Sequence, residues 1–140
     1  MMKRLAQTLF LAGALLAAQA AFARGGVPLV ERPSEPIVTG SGKTVNAEAF
    51  KKAVMNAGAA VKWEVAPGAD GKSLRATYRV QNKHTVMVDI VPGPETFAVK
   101  YADSVNMNYV VQNGAPVIHP SYNKWVGQLV DSIRSELKKL

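Results

Sequence analysis

Between Val61 and Tyr101, apolar and polar residues take turns almost without a break, and no other feature of the sequence limits the fold so strongly. Val61, Trp63 and Val65 interleave with Lys62 and Glu64. After the turn-forming PGADGK, the segment SLRATYRV puts Leu74, Ala76, Tyr78 and Val80 on one side and Ser73, Arg75, Thr77 and Arg79 on the other. HTVMVDI follows with His84, Val86, Val88 and Ile90 inward, and TFAVKY with Phe97, Val99 and Tyr101. A period of two belongs to extended strands with one buried face. The stretch therefore predicts four antiparallel strands in a meander.

Register follows from the same pattern, because inward residues must oppose inward residues and a slip of one position buries the charges. A two-residue turn at Asn82-Lys83 sets Val80 against Thr85 and fails. A three-residue loop, Gln81-Asn82-Lys83, sets Val80 against His84, Tyr78 against Val86 and Ala76 against Val88. Arg75 then faces Asp89. Pairing Ile90 with Phe97 makes Lys100 a diagonal neighbour of Asp89 and sets His84 opposite Asp103.

Helical spacing brackets this stretch. NAEAFKKAVMNAGAAV places Phe50, Ala53, Val54, Ala57 and Val61 on one stripe, with Asn46 as N-cap and an end near Gly58. NKWVGQLVDSIRSELKKL aligns Tyr122, Trp125, Leu129, Ile133, Leu137 and Leu140, with Lys138 and Lys139 suited to the helix C-terminus. The expected fold class is α+β: a two-layer sandwich of N-terminal helix, four-stranded antiparallel meander and C-terminal helix (α-β-β-β-β-α), with the helices over the apolar face. Lys62, Arg75, Thr77, Arg79, Met87 and Lys100 line the face left open to solvent.

The first residues have the layout of a secretory signal: Lys3 and Arg4, an apolar run from Leu9 to Ala18, then Ala21-Phe22-Ala23. Residues 1–23 are read as a signal peptide cleaved after Ala23, with an apolar run shorter than the roughly 20 residues a membrane-spanning helix needs. No transmembrane helix is expected in the mature protein. The chain has no cysteine, so neither a lipoprotein acyl anchor nor disulfides are expected, and the fold must rely on its core. Removing Lys3 and Arg4 leaves 15 basic against 10 acidic residues, a net charge of +5. For an exported protein the accessible polyanions are envelope lipids and glycans, not nucleic acid. Residues 24–43, with Pro28, Pro33 and Pro36, read as an extended lead-in whose pieces Val27–Val30 and Ile37-Val38 can lie against the domain; residues 44–140 form that single domain.

The candidate sites lie on the open sheet face and before the last helix. Arg75, Arg79 and Lys100 form a basic face able to meet an anionic glycan or lipid headgroup. Asp103, Ser104, Asn106, Asn108, Tyr109, His119, Tyr122 and Asn123 form a polar cluster where a cleft can open, although amides and hydroxyls there also suit irregular backbone. In IHPSYNKW, Pro120 fits the first position of a helix, so His119 is read as a cap beside it. The enzyme alternative is a cleft hydrolase using His84 or His119, with His84, Asp103 and Ser104 supplying the residue types of a triad. Adjacent residues of a strand point to opposite faces, which works against that triad. Two distant histidines without cysteine give no zinc spacing, and GADGK lacks the phosphate-loop pattern, so no metal and no cofactor are expected.

The order Trp63, ATYRV, HTVMVDI, FAVKYADS and IHPSYNKWVxxLxxxI resembles a group of small exported or lipid-anchored proteobacterial proteins of uncharacterised function. The resemblance covers residues 44–137, and its most specific element is IHxxYNxWVxxL. It implies a periplasmic or envelope location and one α+β domain. Members with an acyl-anchor cysteine differ from this chain, and no catalytic residue comes with the resemblance. The expectation is an exported periplasmic protein, a non-enzymatic binding or interaction domain whose partner is an envelope glycan, an anionic lipid or a periplasmic protein.

Overall fold

The computed structural model describes residues 25–140, and the signal peptide expected over residues 1–23 lies outside the described residues. Among the described residues the fold is α+β, with two helices and eight strands in two antiparallel sheets. Five strands, β2 (Arg32–Pro36), β3 (Glu64–Pro67), β4 (Leu74–Val80), β5 (His84–Pro92) and β6 (Thr96–Val105), form one sheet in the order β2-β6-β5-β4-β3. The other contains β1 (Val27–Pro28), β8 (Ala115–Ile118) and β7 (Val110–Gln112), in the order β1-β8-β7. Helix α1 spans Ala47–Ala60 and α2 spans Ser121–Lys138.

The expected meander is present as β3 to β6, but a four-stranded sheet is a correction point: β2 adds a fifth strand on β6, and β1, β7 and β8 build a second sheet. These extra strands are two to five residues long and carry no usable period. β1 and β2 contain three prolines, which sheets accept at their edges, where a missing N–H breaks no ladder. The lead-in is thus stitched to both sheets. Leu29 is buried and Ile37 half-buried, while Val30 and Val38 stay exposed.

Between β4 and β5 the pairs are those the alternation requires: Val80 with His84, Tyr78 with Val86, Ala76 with Val88 and Arg75 with Asp89. Between β5 and β6 the expected pairing of Ile90 with Phe97 is overturned. Ile90 faces Val99 and Pro92 faces Phe97, because β5 runs on past the end of β4 and turns tightly at Gly93, whose N–H donates to the Thr96 carbonyl at 2.7 Å. A shift of two keeps the side chains from Phe97 to Tyr101 on their predicted faces.

Ala76, Val86, Val88, Ile90, Phe97 and Val99 from the sheet meet Phe50, Ala53, Val54 and Ala57 of α1 and Tyr122, Val126, Leu129, Val130, Ile133 and Leu137 of α2 in one core. Burying each large aliphatic side chain contributes roughly 1.5–3 kcal/mol. Trp63 stacks on Tyr78 at 5.2 Å, and Trp125 meets Tyr78 edge-on at 5.2 Å, closing one flank. Asn46 caps α1 through its side-chain oxygen, which accepts the Ala49 N–H at 2.8 Å. Gly58 lies in the last turn of α1, which ends at Ala60, near the expected position. A Cβ there would stand 2.6 Å from the Val65 side chain, so glycine lets β3 approach the helix closely. Leu140, assigned to the apolar stripe of α2, lies past the helix end and is exposed.

Candidate functional site

The site is built around one irregularity in β6. Val88 pairs with Tyr101 but Met87 pairs with Asp103, so Ala102 is an extra residue in the strand. Such a bulge bends its strand and changes which side chains share a face. Tyr101 and Ser104 consequently both point inward, and their hydroxyls lie 2.8 Å apart. Burial raises the Tyr101 phenol above its ordinary range, and the bond to Ser104 pulls it the other way. Asp103 points to the outer face opposite Met87, and its carboxylate accepts the Ser104 N–H at 2.7 Å.

The chain leaves β6 through two left-handed residues, Asn106 (φ 57°) and Asn108 (φ 53°), a conformation asparagine tolerates better than most residues. The Asn106 amide donates to the Lys83 carbonyl at 2.6 Å, while the Asn106 carbonyl lies 2.8 Å from His84 Nδ1. Between them Met107 is buried, and its carbonyl accepts the His119 N–H at 2.8 Å. This double turn delivers Tyr109 flat onto Tyr101, with ring centroids 4.1 Å apart and planes 11° from parallel. Tyr122 lies beneath, its ring 5.9 Å from that of Tyr101. Burial first, then the negative charge of Glu31, holds the Tyr122 phenol well above its ordinary range, so it stays protonated.

A cleft opens beside this stack. β2 pairs with β6 no further than Arg32 opposite Val99, and the segment before it crosses to the small sheet, where Leu29 N–H donates to the Pro116 carbonyl at 3.0 Å. The gap has a volume of about 280 Å³, with Leu29 and Val99 as its apolar floor and Pro33, Pro116, Tyr101 and Tyr109 as walls. Glu31 and Lys100 supply one charge of each sign at its margin. Apolar walls with a few placed polar groups are the usual make-up of a small-ligand site.

The other expected site residues are engaged within the fold. Arg75 bonds Asp89 through Nε at 2.6 Å and Nη2 at 3.3 Å, and this partner raises the guanidinium pKa further. Arg79 Nη1 donates to Glu64 at 2.8 Å. Lys100 stands directly opposite Asp89, not diagonal to it. The basic face is therefore largely neutralised by its own acids. His119 Nδ1 accepts the Ser121 N–H at 3.1 Å and its carbonyl accepts the Tyr122 N–H at 3.1 Å, the work of a cap one residue ahead of Pro120. The Asn123 side chain reaches back to the lead-in, accepting from Val30 N–H at 2.9 Å and donating to the Pro28 carbonyl at 3.1 Å.

The expected facing of His84 with Asp103 is overturned: the shifted register and the bulge put Asn106 there instead, so His84, Asp103 and Ser104 do not converge. The two histidines do approach, with ring centroids 5.8 Å apart. Among the residues picked out in sequence, Lys100 and Tyr109 line the cleft, Ser104 holds its wall and Tyr122 underlies it. Glu31 escaped notice because it lies in the proline-rich lead-in, far along the chain from β6, and no local pattern links the two. No protein-family model, curated protein or solved structure matches the chain. Among the described residues, no helix is long and apolar enough to cross a membrane.

Proposed function

We propose that the protein is an exported, non-enzymatic binding domain for an envelope glycan, which seats one sugar unit in the cleft between Glu31, Lys100, Tyr101 and Tyr109. The observation that carries this reading is the Tyr109–Tyr101 stack: one tyrosine is fixed from behind by another, leaving a flat aromatic surface beside one charge of each sign. The C–H-bearing face of a pyranose suits the electron-rich face of such a ring. Lys100 and Glu31 supply a donor and an acceptor for its hydroxyl, carboxylate or amino groups, and the size of the gap suits a single ring better than a chain. A preformed wall spares the entropy of ordering a side chain on binding.

The open sheet face supports a weaker case, since both of its arginines already hold carboxylates. Calorimetric titration of the purified protein with soluble envelope oligosaccharides tests the choice. Binding that is lost in Tyr109→Ala and kept in Arg75→Glu/Arg79→Glu is the expected result. Binding lost only in the arginine double variant moves recognition to the open face, and binding of none of the oligosaccharides removes the glycan reading.

A further inference from the structure

We infer that two copies of this chain associate edge to edge through β7, joining their small sheets into one. Among the described residues the free sheet edges are β1 and β7 in the small sheet and β2 and β3 in the large one. An exposed strand edge is a template for another strand, and folded proteins guard it with prolines, charges or bulges. β1 ends in Pro28. β2, reading RPSEP, carries two prolines, an arginine and a glutamate, and its pairing with β6 is irregular. β3, reading EVAP, carries Glu64 and Pro67. β7, reading VVQ, carries no proline, charge or bulge.

The side chains around that edge are equally unguarded. Val110 is 46% exposed and Val111 61%. The hairpin turn that holds β7 against β8 is stiff, with Asn113 and Gly114 both at positive φ, as two-residue turns of matching twist require. The edge is thus an ordered ledge, and its free N–H and C=O groups keep fixed positions.

A second copy is the occupant that charge selects. From Ser104 to Ile118 there is no acidic or basic residue, in a chain with 17 basic and 10 acidic ones. Copies that share a positive net charge repel one another, least where they meet through an uncharged surface. An antiparallel β7–β7 pair is also self-complementary, since a two-fold axis at Val111 sets Val111 against its own counterpart and Val110 against Gln112. A partner of opposite charge would gain nothing from this face. The inference goes beyond the glycan reading and does not depend on it.

Sedimentation velocity of the purified protein over a range of concentrations tests it. A reversible dimer is expected, with Val111→Lys weakening it at least about tenfold, the factor set by about 1.4 kcal/mol, while circular dichroism and the thermal midpoint, both taken at a concentration where the parent is monomeric, stay unchanged. Because the chain has no cysteine, Val111→Cys is a clean second probe. Mild oxidation is expected to give a disulfide-linked dimer, and Val38→Cys, equally exposed but outside the small sheet, to remain monomeric. A monomer at every concentration with no cross-link through Val111→Cys overturns the inference, as does a Val111→Lys dimer as tight as the parent. Oligosaccharide binding by Val111→Lys is expected to persist, so failure of either proposal shows separately.

Discussion

The hydroxyls of Tyr101 and Ser104 meet at 2.8 Å although the residues are three apart in one strand, a spacing that ordinarily puts side chains on opposite faces. The extra residue Ala102 removes the parity conflict. Ser104 therefore fixes the ring that in turn backs Tyr109. Replacing it by alanine removes the one interaction that lowers the Tyr101 phenol, while burial still raises it. Alkaline ultraviolet titration of Ser104→Ala, with Tyr101→Phe as the reference, should place the Tyr101 transition higher than in the parent. Stability should fall by about 0.5–1.5 kcal/mol. An unmoved transition would show that the hydroxyl pair does not form in solution.

His119 should act as a cap on α2. Its ring nitrogen takes the Ser121 N–H, and its backbone is held by Met107. His119→Ala should cost about 0.5–2 kcal/mol in urea unfolding, and His119→Asn, which retains an acceptor, should lose less. Equal loss in both variants would contradict capping through the side chain.

Alternation made the centre of this fold legible in the sequence. Wherever a strand is buried on one face and a hairpin is short, as from Leu74 to Ile90, parity and loop length together leave one register. The same logic loses its hold at β6. Moving Phe97 from Ile90 to Pro92 changes no side chain's face, so burial cannot decide it, and a bulge at Ala102 leaves no mark because Ala102, Asp103 and Ser104 are small side chains that either face accepts. Glu31 and Glu35 were beyond reach for another reason. Their roles depend on contacts with β6 and α2 across most of the chain, and proline-rich edge strands have no period to read. Tyr109 and Lys100 were legible as candidates, but their meeting with Glu31 was not.

The lead-in should be held by two separate clamps. Asn123 makes two hydrogen bonds to the backbone of Pro28 and Val30. Glu35, only 9% exposed, receives Arg32 at 3.0 Å and Arg134 of α2. Asn123→Ala should cost about 1–2 kcal/mol at roughly one per lost bond and speed hydrogen exchange at the Leu29 amide. Glu35→Ala should leave two arginines without their acceptor and speed exchange at the Ile37 amide, which bonds the Glu95 carbonyl at 2.9 Å. Uniform acceleration across both sheets in either variant would mean that the lead-in is not a separately opening unit.

Asp70 gives the fold an acid-sensitive turn. Its carboxylate accepts the Ser73 N–H at 2.8 Å, the Ser73 hydroxyl at 2.7 Å and the Lys72 N–H at 3.0 Å, closing the loop between β3 and β4. Led by the Ser73 backbone bond, these donors lower its pKa from 3.8 to about 2. A carboxyl group lowered on folding stabilises the native state in full above its unfolded pKa, and loses that contribution as pH falls through the folded one. The window here runs from about 4 down to about 2. Asp70→Asn keeps the shape of the side chain and an acceptor oxygen, but cannot titrate. The difference in unfolding free energy between parent and Asp70→Asn should therefore be constant above pH 4 and shrink steadily towards pH 2. Carbon-detected NMR of the Asp70 carboxyl should report a midpoint near the lower limit, and Ser73→Ala, which removes one donor, should raise it. A midpoint at the ordinary aspartate value would show that the turn does not hold its carboxylate in solution.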